Sequence, residues 1–300
     1  MRSTLHVVFA RRALAVFVPN CALAHGAIAL AFLQSCAGQG RSLASSATPV
    51  PSKTVLAELV PTGQLRAGIN YGNPNNAKKD PATGQLKGVA VDVATDLATA
   101  LGVRLSVVPL HGVPAMLGSL KAGDSDVVFS NNPDQNPLTN ETAPNASSKA
   151  ALACTSPIMG VDNAFLVPPE SPLQSVSDYD RPGIRIAVAK GNNPDVFLNA
   201  SLKNAQLMRA DTPVGAWELV KAGKADGFAG SLDFMNTHMP ELPGSRILPG
   251  RFMVGLLAMC MTIGRPDALG YASAFIQREK SSGAVLGAIR RAGLQGVSVP

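Results

Sequence analysis

Two ten-residue stretches, LKAGDSDVVF at residues 120–129 and VKAGKADGFA at residues 220–229, have almost the same pattern. In each, the end of a predicted helix is followed by a glycine, an aspartate-bearing turn and an apolar run of strand length. Gly123 and Gly223 stand where a helix ends on a residue that readily takes a positive φ. Corresponding positions are 100 residues apart. The repeat predicts two α/β lobes of similar design with a cleft between them.

The segments around the repeat have the same order in both halves. In the first half, hydrophobic periodicity predicts strands at 65–70, 103–110 and from 127, and helices at 91–101 and 114–121. In the second half it predicts strands at 183–189, 207–210 and from 226, and helices at 194–203 and 214–221. A β-α-β-α-β order predicts a doubly wound sheet in each lobe.

Two further apolar stretches, near 151–167 and 247–261, are expected to cross between the lobes, and two helices close the chain. We therefore expect an α/β protein made of two doubly wound lobes joined by two crossing strands. The first lobe is predicted to comprise residues 54–157 plus 256–300, and the second lobe residues 158–255.

Composition excludes several classes of function. The 300 residues carry a formal net charge of +6, but five unopposed positive charges lie within residues 1–53. The rest of the chain is nearly neutral, and aromatic residues make up only 5%, so no nucleic-acid partner is expected. The sequence lacks a P-loop and a G-x-G-x-x-G motif, and we expect no cofactor.

The N-terminal segment, residues 1–36, has the pattern of an export leader: positive residues precede an interrupted apolar run. Two cleavage sites remain open. Ala22-Leu23-Ala24 fits an ordinary signal peptidase, and Leu33-Gln34-Ser35-Cys36 resembles a lipobox in which Cys36 is lipidated. Residues 37–53, rich in Gly, Ser, Ala and Pro, are expected to form a linker. We expect the protein in the periplasm or on the outer face of the cell membrane, touching the membrane only through such an anchor.

The other two cysteines, Cys154 and Cys260, lie in apolar runs of strand length. We favour an interpretation as two small buried side chains. An exported protein also offers conditions in which they can pair, and that alternative stays open. No C-x-x-C or His-Cys cluster occurs, and no metal site is expected.

Several motifs together resemble a known family. Residues 88–94, GVAVDVA, and 100–103, ALGV, look like the G-x-x-x-D core of family 3 solute-binding proteins, the amino-acid type with the type II periplasmic binding fold. Residues 120–126 resemble the L-x-x-G-x-x-D unit of that family, and residues 154–158 and 186–191 match its later segments in order and spacing. The resemblance covers about residues 54 to 295. It implies two α/β lobes that close over a small ligand.

The chain departs from that family at both anchors for a zwitterion. Members that bind amino acids usually carry an Arg for the α-carboxylate, where this chain has Asn145-Ala146-Ser147-Ser148-Lys149. They also carry an Asp for the α-ammonium, where this chain has Ser231. The resemblance combined with these departures implies a neutral or singly anionic polar solute rather than a typical L-amino acid.

Ligands of open α/β sheets lie beyond the carboxyl ends of the strands, and this rule selects four polar segments. The segment at Lys190 also opens a helix, whose free N–H groups favour an anion or a carbonyl. We interpret Trp217, the only Trp, as a core residue. The candidate ligand-binding residues are Asn70, Tyr71, Asn73, Ser130, Asn131, Asn132, Lys190, Gly191, Asn192, Asn193 and Ser231.

The expected function is a monomeric, non-enzymatic solute-binding protein that delivers its ligand to the permease of an ABC transporter. The family resemblance also includes cyclohexadienyl dehydratases, and a ligand sensor on the same scaffold is a further alternative. The four selected segments contain no Asp, Glu or His, so a proton-transfer enzyme would lack an evident acid or base.

Overall fold

A computed structural model describes residues 50–131 and 152–300. The predicted leader with Cys36, the linker up to residue 49, and the segment containing Asn132 and 145–149 lie outside the described residues. A helix begins at Lys53, the last residue of the predicted linker. The Ser52 hydroxyl oxygen accepts a hydrogen bond from the Val55 N–H, 3.2 Å away, which caps this helix.

The elements before residue 132 are α1 (Lys53–Leu59), β1 (Gln64–Asn70), β2 (Lys78–Lys79), β3 (Leu86–Lys87), α2 (Val89–Leu101), β4 (Arg104–Leu110), α3 (Gly112–Ala122) and β5 (Val127–Asn131). Those from residue 152 to 231 are β6 (Leu152–Cys154), β7 (Met159–Val167), β8 (Arg185–Ala189), α4 (Asn193–Ser201), β9 (Gln206–Ala210), α5 (Pro213–Lys221) and β10 (Gly227–Ser231). The remainder are α6 (Leu232–His238), β11 (Arg246–Ile247), β12 (Met253–Thr262), α7 (Pro266–Ser281), α8 (Ala284–Arg291) and β13 (Val297–Ser298).

The main sheet has the strand order β4-β1-β5-β12-β7-β10-β8-β9. The order has the same pattern from either edge. Three parallel strands (β4, β1 and β5 at one edge; β9, β8 and β10 at the other) are followed by one antiparallel crossing strand, β12 or β7. Strands β7 and β12 are antiparallel neighbours at the centre. The two-fold plan predicted from the internal repeat is therefore confirmed.

The repeated aspartates make equivalent hydrogen bonds within the two halves of the sheet. Asp126 accepts hydrogen bonds from the backbone N–H and the guanidinium of Arg66, and Asp226 does so from Arg185. Each arginine also donates to the carbonyl of the glycine that ends the preceding helix. Each aspartate thus joins the strand that it precedes to a parallel neighbour. The hydrogen bonds from Arg185 lower the pKa of Asp226.

Separate hydrophobic cores support the two ends of the sheet. The core of the first lobe packs α1, α2, α7 and α8 against β1, β5 and parts of the crossing strands. The second lobe has one core around Phe165 and Phe252 and another around Trp217 and Phe228. Trp217 is fully buried, which confirms its interpretation as a core residue. The exact lobe boundaries stay a prediction.

Cys154 and Cys260 form a disulfide, so the favoured interpretation of two separate buried side chains is wrong and the alternative left open, a pair, is correct. Strand β6 pairs antiparallel with β12, and the two cysteines lie directly opposite each other with Cα atoms 4.1 Å apart. Local sequence did not reveal this register. The disulfide joins the chain just before the first crossing strand to the end of the second, and the second lobe lies between them.

Among residues 50–131 and 152–300, no helix combines the length and apolar character needed to cross a bilayer.

Candidate functional site

A cavity of about 390 Å³ lies where the carboxyl ends of the six parallel strands meet. Each strand contributes a residue to its lining, either its own last residues or the first residue after it. These residues are Asn70 at the end of β1, His111 after β4, Ser130 in β5, Lys190 after β8, Asp211 after β9 and Ser231 in β10. The cavity therefore lies between the two ends of the sheet, as the rule for open α/β sheets requires.

The first-lobe side of the cavity presents amide N–H groups. The Asn70 side-chain oxygen accepts hydrogen bonds from the N–H groups of Gly72 and Gly112, each 3.0 Å away. The Asn73 oxygen accepts from the backbone and side-chain nitrogens of Asn75. Because both oxygens are engaged within the protein, the Asn70 and Asn73 amide nitrogens remain as donors for a ligand oxygen.

Asn75 carries an unsatisfied group beside these donors. Its side chain is buried in the cavity wall, and its amide donates to Asn73, 3.2 Å away, which fixes its orientation. Its side-chain oxygen has no hydrogen-bond partner among the described residues. A buried acceptor without a partner is unfavourable, so this wall is not optimised for stability alone.

The base of the cavity is formed by the central strands. Asn163 of β7 lies opposite Ser231 of β10 in the sheet register, and its amide donates to the Val161 carbonyl, 2.9 Å away. The Ser231 hydroxyl oxygen accepts from the Phe234 N–H at the start of α6. Apolar surface is supplied by Met116, Phe228, Phe234 and Leu257.

The helix start on the second-lobe side is only partly available to a ligand. The Gly191 N–H already donates to the Asp195 carboxylate, 2.9 Å away, and Arg209 donates to the other oxygen of that carboxylate. Asn192, not Asn193, is the N-cap of α4, and its side chain makes no capping hydrogen bond. Among the described residues, the Asn192 side chain therefore does not cap its own helix, and Asn192 lines the cavity.

Eight of the eleven candidate residues line the cavity: Asn70, Asn73, Ser130, Lys190, Gly191, Asn192, Asn193 and Ser231. Tyr71 does not, because its ring packs edge-on against His111, with centroids 5.5 Å apart, and lies under the Lys79 ammonium. Asn131 is the last residue of β5, and Asn132 lies outside the described residues. That the lining residues bind a ligand stays a prediction.

His111 and Asp211 also line the cavity. From the sequence, His111 was interpreted as a structural residue and Asp211 was not singled out. The argument that the site has no Asp, Glu or His does not hold for the folded cavity, because it considered only four strand ends. Strands β4 and β9 end at the same edge of the sheet as the others. Applying the strand-end rule to those two strands as well would have selected both residues as candidates.

In the described part of the chain, no group of three or more His, Cys, Asp or Glu side chains is arranged to hold a metal ion.

No protein-family model matches the sequence, and no curated protein matches it significantly. Solved structures do match. A mutant of ArgBP from T. maritima is 20% identical with a TM-score of 0.63, and the match covers 80% of this chain and 99% of that one. An amino acid ABC transporter substrate-binding protein from Streptococcus pneumoniae, bound to L-arginine, is 18% identical with a TM-score of 0.63, over 82% of this chain and 100% of that one.

The ancestral amino acid-binding protein AncCDT-1, a precursor of cyclohexadienyl dehydratase, is 21% identical with a TM-score of 0.62. That match covers 79% of this chain and 98% of that one. At these identities the comparisons establish the fold. The chain has the two-lobed α/β fold of type II periplasmic binding proteins, which confirms the fold class expected from the sequence.

Proposed function

We propose that this chain is an exported solute-binding protein that captures a small polar ligand between its lobes and delivers it to the permease of an ABC transporter. The observation that carries the proposal is the cavity of about 390 Å³ at the meeting point of six strand ends. Its volume suits a small metabolite. Similar structures include ABC transporter binding components.

The connections between the lobes support capture by closure. Strands β7 and β12 carry the chain from one lobe to the other side by side. Each lobe has its own core, so the lobes can move as units about these strands. A ligand that contacts both lobes shifts the population toward the closed form.

The polar groups of the cavity favour a neutral or singly anionic solute. Asn70 and Asn73 offer amide N–H groups to a carbonyl or carboxylate oxygen. Ser231 stands where the family resemblance implies the Asp for an α-ammonium group, and no Arg lines the described cavity. The cavity carboxylate, Asp211, follows β9 rather than β10 and so does not replace that Asp at its own position. We therefore expect none of the twenty standard amino acids to bind with sub-micromolar affinity, which calorimetry measures.

The disulfide supports export, because disulfides persist in oxidising compartments. We propose a location in the periplasm or on the outer face of the membrane, and a monomer. The mature chain is expected to begin near His25 or at a lipidated Cys36. Intact-mass measurement on protein from the native host checks this, and a product beginning at Met1 would contradict it.

An enzyme on the same scaffold is the second candidate, and one observation favours it. His111 and Asp211 place titratable groups in the cavity, which proton transfer requires. Incubating a bound ligand with catalytic amounts of protein and following its NMR spectrum distinguishes the two functions. An unchanged ligand supports a binding protein, and turnover supports an enzyme.

A thermal-shift screen of small metabolites tests the proposal. A ligand at 100 times its Kd stabilises the native state by about 2.7 kcal/mol. For an anionic hit, Asn192→Asp should weaken binding because it adds a negative charge at the cavity edge. Asn199→Asp is the matched control on the same helix, where the side chain already accepts from Arg209 outside the cavity. A screen without any stabilising metabolite would contradict the proposal.

A further inference from the structure

We propose that Asp211 is a specificity-determining residue that excludes dianionic ligands and, together with Lys190, selects a solute carrying a hydrogen-bond donor beside its anionic or carbonyl group. This inference rests on the proposed function and refines the ligand class. It assigns a role to a strand end that the sequence did not single out.

The sheet register places Asp211 and Lys190 side by side. Strands β8 and β9 are parallel, and Ala189 pairs with Ala210 as the last registered pair. The Lys190 N–H then donates to the Ala210 carbonyl, 2.8 Å away. Lys190 and Asp211 are the next residues on the two strands, and both line the cavity. A carboxylate and an ammonium group thus enter the site from neighbouring positions.

Neither charge is neutralised within the described chain. No ion pair or side-chain hydrogen bond engages the Lys190 ammonium or the Asp211 carboxylate, whereas the nearby Asp195 is held by Arg209 at 2.8 Å. Both residues are exposed to solvent in the open cavity. Lobe closure around a ligand removes that water, and a charge that loses water without gaining a partner is strongly unfavourable.

The opposite wall determines which groups meet these charges. Asn70 and Asn73 present donors to a ligand oxygen, as the Lys190 ammonium does. Asp211 is the one carboxylate lining the described cavity. A ligand with a single anionic group can place it on the donors and direct an N–H or O–H to Asp211. A second anionic group would instead face Asp211 and be repelled.

Three four-carbon probes of matched size and different charge test this assignment: succinate, succinamate and succinamide. Binding is measured by ligand-observed NMR, which detects weak affinities, and quantified by calorimetry. The wild-type protein is expected to bind succinamate and succinamide at least about tenfold more tightly than succinate, because the second carboxylate of succinate faces the like charge of Asp211. Asp211→Asn should abolish this difference by strengthening succinate binding. Lys190→Gln should weaken succinamate relative to succinamide.

Glu170→Gln is the matched control, because it removes one exposed negative charge of the second lobe that does not line the cavity. It should leave the order of the probes unchanged. The inference is overturned if succinate binds the wild type as tightly as succinamate, if Asp211→Asn has no effect on the order, or if none of the probes binds. A metabolite that stabilises the protein in the screen would keep the proposed function intact in each of those cases.

Discussion

Removing the Cys154–Cys260 disulfide should reduce stability by an amount that follows from the chain topology. The bond joins residues 106 positions apart, so it closes a loop that contains the whole second lobe. In the chain-entropy account, cross-linking a loop of this length stabilises the native state by about 4.7 kcal/mol. Cys260 is fully buried within a small core, so the replacements should be small and apolar. The expected loss for Cys154→Ala/Cys260→Ala is therefore at the upper end of the usual range of about 2–5 kcal/mol.

Urea unfolding of the wild type and of the double variant measures this loss, with the denaturant slope compared as well as the midpoint. A reductant should lower the wild-type midpoint after unfolding and refolding, and it should leave the double variant unchanged. Thiol labelling under denaturing conditions verifies the pairing. Free thiols at Cys154 and Cys260 in the oxidised wild-type protein, assigned by peptide mapping because the full chain also contains Cys21 and Cys36, or equal stabilities of the two proteins, would refute the reasoning.

The remaining predictions concern charged groups outside the cavity. Asp126→Asn should reduce the free energy of unfolding by roughly 3–5 kcal/mol, because it breaks a buried ion pair. Asp226→Asn, at the more exposed equivalent site, should reduce it by about 1 kcal/mol or less. Urea midpoints compare the two variants, and equal losses would contradict the burial argument. Burial and the neighbouring Asp96 raise the pKa of Glu279, and burial and Asp92 raise that of Asp96. A carboxyl group whose pKa is higher in the folded than in the unfolded protein stabilises the fold at pH values below its unfolded pKa. This stabilisation is lost as the pH rises through the folded pKa. At neutral pH the charged carboxylate opposes folding, so Glu279→Gln should raise the free energy of unfolding there by less than about 1 kcal/mol. Unfolding curves at acidic and neutral pH check this, and a loss at neutral pH would oppose it.

Most of the fold was predictable because its signals are local. Gly102 and Gly123 end their helices with φ values of 70° and 76°, the conformation that the sequence pattern indicated. The repeat then linked two distant segments of the same design. Helices α1 and α6 were not predicted. Each has only seven residues, which is too short for a clear periodic pattern.

Long-range pairings could not be predicted from one sequence. Arg66 and Asp126 are 60 residues apart, and Arg185 and Asp226 are 41 residues apart. The shared structural role of the two aspartates, each of which accepts hydrogen bonds from an arginine on a neighbouring strand, becomes visible only when the parallel strands are adjacent. The disulfide could not be predicted for the same reason, because the register of β6 on β12 depends on the path of the whole second lobe.

The candidate site was predicted in part because strand ends converge in this sheet topology. The rule located Asn70, Ser130, Lys190 and Ser231, which line the cavity. It was applied too narrowly to find Asp211, which follows an edge strand. It also does not specify side-chain direction, and for that reason Tyr71 was selected although its ring packs on a neighbouring loop residue.

The central claim is that the two lobes close over a ligand in this cavity. Small-angle scattering with and without a saturating ligand from the metabolite screen tests it most directly. The account predicts a smaller radius of gyration in the bound protein, because closure brings the two ends of the sheet together around β7 and β12. An unchanged radius of gyration at saturation would contradict it.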